Sequence, residues 1–328
     1  MKIVLLPGDC IGPEVMREAR RALLGLSLQL ELPLELEEPA FGGQAIRECG
    51  DPLPSHTLAA CKAADAILKG PIGDPEFEAA DVRPEQGILR LRSVLDVYAN
   101  LRPARQDGVD LLIVRELVGG LYYGAKGVRD DGTVFDTCEY HPRQVKRIAR
   151  RAFELALTRR RHVTSVDKAN VLETSRMWRR VVTEMGRDYP DVELDHMLVD
   201  NAAMQLVQAP ERFDVILTDN MFGDILSDEA AAMTGGLGLA GSASLGDSGP
   251  GLFEPAHGSA PDIAGRGIAN PAAMLRTAAL MLEHGLGRTE EGRRLTAAVE
   301  QALVEAPTPD LGGTATTSDF GDAVLAAL

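Results

Sequence analysis

Residues 213–238, FDVILTDNMFGDILSDEAAAMTGGLG, read as strand, turn and helix, with carboxylates facing the turn. Phe213, Val215, Ile216 and Leu217 make a short apolar run of the kind buried in a parallel sheet. Asp219, Asn220 and Gly223 break the run. From Asp224 the pattern DILSDEAAAM is helical, with Ile225, Leu226, Ala230 and Met233 apolar, until the Gly235-Gly236 pair stops it. Asp224 and Asp228 stand i and i+4, so their carboxylates share one face of the first turns. Two like charges so placed repel. A hard divalent cation between them, Mg²⁺ or Mn²⁺, removes the repulsion, since such ions take oxygen ligands and leave most positions to substrate and water. A helix N-terminus also favours negative charge, so the pair alone admits a reading without metal.

The surrounding chain supports a large α/β protein. At 328 residues it can bury an extensive core and form two domains or lobes. A hydrophobic content of 45% with 25% charged residues is that of a globular chain and argues against disorder. A net charge of −15 argues against nucleic acid as a partner, because phosphate backbones need clustered Lys and Arg. It leaves room for a small anionic substrate held by a local group of arginines. Cys10, Cys49, Cys61 and Cys138 form no CxxC and no metal spacing, which predicts free thiols in a reducing cytoplasm. The opening MKIVLLPGD is a strand and a turn, and neither a signal peptide nor a transmembrane helix is expected.

In chain order, the strand Lys2 to Leu6 feeds the turn Pro7-Gly8-Asp9 and a helix from Glu14 to Leu24. PGDCIGPE is not the GxGxxG of a dinucleotide-binding turn. A strand LELEE at 34–38, a helix from about Pro54 to Ala64 and a strand Ala66 to Leu68 follow, and this alternation predicts a mostly parallel sheet. RPEQGILRLRSVLDVYANLRP, 83–103, reads as a helix with an extended exit at Arg102-Pro103. The buried strand Leu111 to Arg115 delivers Arg115 at its C-terminal end, where ligands of open α/β sheets bind. Arg92, Arg102 and Arg115 are candidates for a dicarboxylate clamp. GGLYYGAKG, 119–127, is a turn carrying Tyr122 and Tyr123. A helix from His141 to Arg161 and a strand Val163 to Val166 lead to Lys168, where burial would lower a lysine into the range of a general base. A helix from Val171 to Met185 and a strand around Val192 to Val199 lead to Asp200, a third carboxylate at a strand-to-helix junction. Ser242 to Gly251 reads as a loop. Leu252 to Pro271 carries too much Gly and Pro for regular structure and is long enough to be a binding loop. Helices are expected at 272–282 and 293–303.

The ordered series LPGDCIGPEV, RPEQGILRLR, ANLRP, VRELVGGLYYG, VDKANVLETSRMWR, VDNAAMQLV, NMFGDILSDEAAAMTGGLGL and EPAHGSAPDIAGRGIANP resembles the β-decarboxylating dehydrogenases of the isocitrate/isopropylmalate dehydrogenase family, nearly end to end. The resemblance implies that family's fold, two lobes around a mostly parallel sheet with the active site in the cleft: residues 1–98 with 240–328 as the cofactor-binding lobe, and 99–239 as the substrate, metal and dimerisation lobe. It implies a cytoplasmic homodimer whose active sites are shared between subunits. Asp224 and Asp228 would bind Mg²⁺ or Mn²⁺ with Asp200 of the partner subunit, and Arg92, Arg102 and Arg115 would hold the malate carboxylates. Lys168 of the partner subunit would take the 2-hydroxyl proton as hydride leaves for NAD, and Tyr122 would protonate the enol carbon after CO₂ departs. The cofactor loop would be His257, Gly258, Ser259, Ala260, Asp262, Ile263 and Asn270, with Ile72 opposite.

Asp262 fits NAD, since a carboxylate accepts hydrogen bonds from a free ribose diol and repels a 2′-phosphate. Glu85, Ile88 and Leu89, with Val171, correspond to the pocket for the C3 substituent, where methyl groups suit an isopropyl group. The reaction implied is NAD- and metal-dependent oxidative decarboxylation of (2R,3S)-3-isopropylmalate to 2-oxo-4-methylpentanoate, in leucine biosynthesis. Homoisocitrate, isocitrate, a small 3-alkylmalate or tartrate are the other substrates considered, and a non-catalytic regulatory paralogue is the alternative of another class. The chain departs from the family pattern at Cys10 and Asp74, where glycines are usual, and both substitutions bear on backbone angles in the cofactor region.

Overall fold

The computed structural model describes residues 1–106 and 108–328, and the chain divides into two compact units, 1–96 with 237–328, and 97–236. In the first unit, β1 (Lys2–Leu6) leads to α1 (Gly12–Gln29), β2 (Glu35–Glu37), α2 (Gly43–Cys49), α3 (Ser55–Ala63), β3 (Ala66–Lys69) and α4 (Pro84–Leu95). The second unit contains β4 (Ala99–Gln106), β5 (Val109–Glu116), the hairpin β6 (Lys126–Val128) and β7 (Val134–Asp136), α5 (Pro142–Leu157), β8 (His162–Asp167), α6 (Glu173–Gly186), β9 (Glu193–Leu198), α7 (Val199–Gln208), β10 (Val215–Thr218) and α8 (Asn220–Met233). The chain then returns to the first unit as β11 (Gly241–Leu245), β12 (Gly251–Pro255), α9 (Ala272–Leu280), a π-turn at Met281–Gly285, α10 (Thr289–Glu305) and α11 (Thr317–Ala327).

Strand order in the first unit is β2-β1-β3-β12-β11, parallel except for β11 against β12. In the second it is β4-β5-β10-β8-β9, parallel except for β4 against β5. The central parallel strands are buried on both faces, as helix-covered strands are: β3, β10 and residues 3–6 of β1 are fully buried, whereas the outer strands β2 and β9 carry exposed polar residues. In the second unit Leu111, Ile113, Val166, Phe213 and Ile216 pack with Leu226 and Ala230 of α8 and Leu206 of α7. No helix among the described residues is long and apolar enough to cross a membrane.

Several elements differ from the sequence expectations. α1 starts earlier and runs longer because Pro13 is accepted in a helix's first turn and the stripe Val15, Met16, Ala19, Leu23, Leu26 stays buried to the end. The helix expected from Asp224 begins at Asn220, because the Asp219 carboxylate caps it, accepting from the Phe222 amide at 2.8 Å. Gly223 therefore lies inside the helix and does not break it. Residues 242–251 are not simply a loop: β11 covers 241–245, and α9 lies close against it at Gly241. A Cβ on Gly241 would stand 2.7 Å from Thr277 Oγ1. The next segment likewise starts as a fully buried strand, β12. The helices α2 and α11 were not anticipated.

Candidate active site

In the second unit the register sets Thr218 beside both Arg115 and Val166, and Asp167 beside Leu198. The carboxyl ends of β5, β10, β8 and β9 are thus level, and the chemistry-bearing residues follow directly: Arg115, the Asp219–Asp228 stretch, Lys168 and Asp200.

Arg115 is 2% exposed and its guanidinium is fixed from α8. Nε and Nη2 donate to Asn220 Oδ1 at 3.0 and 2.7 Å, and Nη1 donates to Asp224 Oδ1. Gly223 makes room for this, since a Cβ there would meet Arg115 Cγ at 2.6 Å. Arg102 Nη1 donates to Ser227 Oγ and Asp228 Oδ1, both at 3.0 Å, and its Nη2 lies 3.6 Å from Asp224 Oδ1. The Tyr122 hydroxyl donates to Asp224 Oδ2 at 2.9 Å. Burial and then the Asp224 charge push the Tyr122 hydroxyl above its ordinary pKa, so it holds its proton. Burial also raises the Asp228 carboxyl, against the pull of Arg102. The structure therefore brings Arg102, Arg115, Tyr122, Asp224 and Asp228 into one hydrogen-bonded cluster. Asn220 and Ser227, which orient Arg115 and Arg102, were missed in the sequence as site residues.

Lys168 Nζ donates to Asp200 Oδ1 at 2.6 Å, and that contact holds the Asp200 carboxyl below its usual range. Within the single chain the Lys168 side chain is 28% exposed and ion-paired. Among the described residues of the single chain, Asp200, Asp224 and Asp228 do not converge to ligand distance; the trio that does is His162, Glu193 and Asp195, half-exposed or exposed. Val171 is 60% exposed. The fit of Asp224 and Asp228 to a hard cation rests on their donor chemistry: carboxylates of side chains that are 36% and 51% exposed, on one helix face.

In the first unit, Glu85 and Ser259 face one cavity of about 270 Å³, with Gly73, Asp74, Arg83 and Pro261 also in its wall. Ile88 is buried and Leu89 half-buried. Arg90 turns to Asp51 and to the Leu53 carbonyl. Ile72 is half-buried after β3. The loop after β12 is held from below: Ser259 O accepts from the Ile11 amide at 3.0 Å, and the Glu14 carboxylate accepts from the amides of Gly265 and Gly267. Asn270 is fixed to Asp310 and to the Ala272 amide. Gly258 and Asp262 are exposed, and Ala260 and Ile263 half-buried. His257 Nδ1 lies 2.9 Å from the Gly258 carbonyl, while its buried Nε2 has no hydrogen-bond partner among the described residues. Burial holds this imidazole neutral by lowering its pKa. An orphaned buried nitrogen beside open glycine backbone is what a loop that receives a hydrogen-bonding cofactor would present.

The two departures from the family pattern have different consequences. Cys10 adopts φ +53°, so a side chain is tolerated in the left-handed region that explains the usual glycine. Asp74 sits at φ −124°, where glycine has no advantage, and its side chain binds the Glu76 amide and Arg47.

Arg92 belongs to the first unit. Its Nη2 donates to Glu254 Oε1 at 2.5 Å, and Glu254 Oε2 accepts from Lys69 Nζ at 2.7 Å. Burial alone would raise the Glu254 carboxyl, but Arg92 and Lys69 hold it far below the usual carboxylate range. Burial lowers the Lys69 ammonium against the support of Glu254. Sequence reasoning passed over Lys69 and Glu254, whose signal was a charge ending each of two apolar strands.

The family profile described as isocitrate/isopropylmalate dehydrogenase matches residues 2–324. The 3-isopropylmalate dehydrogenases of Zymomonas mobilis and Novosphingobium aromaticivorans are 52% and 49% identical to the chain, with all of both partners covered. Among solved structures, an isocitrate dehydrogenase from Methylococcus capsulatus superposes with a TM-score of 0.91 at 36% identity, covering 99% of this chain and 98% of its own. A β-decarboxylating dehydrogenase from Thermococcus kodakarensis gives 0.85 at 38% identity, covering 99% and 95%.

Proposed function

The chain belongs to the isocitrate/isopropylmalate dehydrogenase family, and from that premise we propose that it oxidatively decarboxylates 3-isopropylmalate, using NAD and Mg²⁺ or Mn²⁺. The observation that carries the proposal is the cluster in which one aspartate, Asp224, holds both a buried arginine and a protonated phenol at the level ends of parallel strands.

When bound, NAD supplies a hydride acceptor and the cation a Lewis acid for the C2 oxygen. The chain's own residues do the rest. Arg102 and Arg115 present N–H groups, fixed by Asn100, Asn220 and Ser227, to a substrate carboxylate, and the first unit's Arg92 is assigned to a carboxylate as well. Lys168 is assigned to receive the 2-hydroxyl proton. Tyr122 keeps its proton through the oxidation and delivers it to the carbon that loses CO₂. Asp224 and Asp228 offer the carboxylate oxygens for the cation. Since Asp200 does not join them within one chain, Asp200 and Lys168 of the partner subunit are assigned to complete the site in a homodimer. Ile88 and Leu89 are assigned to the isopropyl group, whose burial contributes roughly 1.5–2.5 kcal/mol. The loop from His257 to Asn270 is assigned to the dinucleotide, with Asp262 selecting NAD.

The test is initial-rate formation of reduced nicotinamide from 3-isopropylmalate. Turnover with NAD that stops on chelation and returns with Mn²⁺ is expected, together with loss of NAD preference in Asp262→Lys. Turnover that persists after exhaustive chelation would overturn the metal assignment.

A further inference from the structure

Asn220, the first residue of α8, is 1% exposed, and its side chain lies between Arg115 and the turn that leads to Tyr122. Its Oδ1 accepts from Arg115 Nε and Nη2, and its Nδ2 donates to the carbonyls of Leu117 and Gly119 at 3.1 and 3.0 Å. Those four bonds use both donors of an amide and both lone pairs of its oxygen. They also settle which atom is which, since guanidinium N–H groups must face the oxygen and carbonyls the nitrogen. Gly119 immediately precedes the short 3₁₀ turn Gly120–Tyr122, whose first amide donates to the Glu139 carbonyl at 3.0 Å. Gly120 takes φ +74° against Tyr140, where a Cβ would stand 2.5 Å from the phenol oxygen. That same oxygen accepts from the Asn220 backbone amide at 2.9 Å. One helical turn further on, Asp224 takes Arg115 Nη1 on one carboxylate oxygen and the Tyr122 hydroxyl on the other. Asn220 and Asp224 stand i and i+4, so one face of α8 holds both side chains twice. Asp224 holds their tips, while Asn220 holds the guanidinium of Arg115 and the backbone that leads to Tyr122.

We propose that Asn220 is a positioning residue for Tyr122 as well as for Arg115, so that carboxylate binding and proton delivery keep one register. This rests on the assignment of Arg115 to a substrate carboxylate and of Tyr122 as the proton donor.

The experiment compares the whole enzyme with N220D, Y122F and N220D/Y122F, reading kcat at saturating 3-isopropylmalate, substrate KM and melting temperature. Aspartate at 220 keeps an acceptor for Arg115 but loses both donations, and its second oxygen faces two buried carbonyls, so the turn must move. N220D is expected to lower kcat about ten- to a hundredfold, as displacement of a catalytic group does. In the Y122F background the same change should leave kcat within about twofold, because its effect passes through the phenol. Any change in KM passes through Arg115 and should appear in both backgrounds. Losses of kcat that multiply in N220D/Y122F would overturn the proposal, since a general loss of structure acts in either background. A lowered melting temperature with wild-type kcat would overturn it by reducing Asn220 to a structural contact. If Y122F itself keeps wild-type kcat, the assignment of Tyr122 fails, and the proposal with it. Should N220D not fold, N220S, which buries no charge, carries the comparison: a loss of kcat that disappears in the Y122F background is expected, and a wild-type kcat overturns the proposal.

Discussion

Replacing Gly223 with alanine probes the geometry on which the account depends, because the three atoms nearest the added methyl all belong to Arg115. An ideal Cβ at 223 stands 2.6, 2.8 and 3.1 Å from Arg115 Cγ, Cβ and Cδ. Ordinary carbon contacts are about 3.5–4 Å, so the stem must retreat by roughly 1 Å. It has little freedom to do so: one end is fixed in β5 and the other by Asn220 and Asp224. Overpacking of this kind costs about 1–3 kcal/mol, and exchanging Gly for Ala inside a helix returns about 1 kcal/mol. The net destabilisation is therefore about 0–2 kcal/mol, a loss of a few degrees in Tm. A 1 Å displacement of a substrate-orienting group costs about 10²-fold, or about 2.7 kcal/mol of transition-state stabilisation. Gly223→Ala should thus fold well, melt slightly lower and lose about two orders of magnitude in kcat/KM for the malate substrate. Thermal melts beside initial rates test this. Wild-type kcat/KM in a folded Gly223→Ala enzyme would refute the claim that Arg115 is held in a productive position.

Tyr122→Phe removes the proton donor and the hydrogen bond to Asp224, so kcat should fall about 10²–10³-fold with a smaller change in substrate KM; unchanged kcat would transfer the acid role elsewhere. Glu116 is fully buried, and burial raises its carboxyl from 4.5 to about 7, while Asp219 rises from 3.8 to about 6. Both groups bind more protons folded than unfolded, so the stability they contribute is complete below their unfolded values and is lost as pH rises through about 6 to 7, on the order of 3 kcal/mol for Glu116. Glu116→Gln should therefore flatten the fall in melting temperature between about pH 5 and about pH 8, and an undiminished slope would assign the dependence to other groups. Lys168→Ala and Asp224→Ala are each expected to be inactive, yet mixed and allowed to exchange subunits they should regain partial activity through hybrid dimers. No recovery despite demonstrated exchange would count against a shared site.

Much of the site was legible because strand ends carry their chemistry in order. The strand signals before Arg115, Lys168, Asp200 and Asp224 marked four parallel strands whose carboxyl ends are level, and hydrogen bonds then join Arg102, Arg115 and Tyr122 to the aspartates of α8. The i and i+4 spacing of Asp224 and Asp228 survived the earlier helix start, because adding a turn at Asn220 does not change which residues share a face. What sequence could not supply came from contacts between distant segments. Gly223 looked like a break, and it and Gly241 are places where another element comes close. Lys69 and Glu254 are 185 positions apart and meet only because β3 and β12 are neighbours. Lys168 carried a strand-end position but no signal of its exposure, which depends on what covers it.

The most direct test of the central claim is the ranking of kcat/KM for 3-isopropylmalate, homoisocitrate, isocitrate and 3-methylmalate, measured with NAD and Mn²⁺ on one preparation. The account predicts that 3-isopropylmalate ranks first. It would be contradicted by preference for isocitrate or homoisocitrate, which would demand a polar partner where Ile88 and Leu89 are assigned, or by absence of turnover with all four acids.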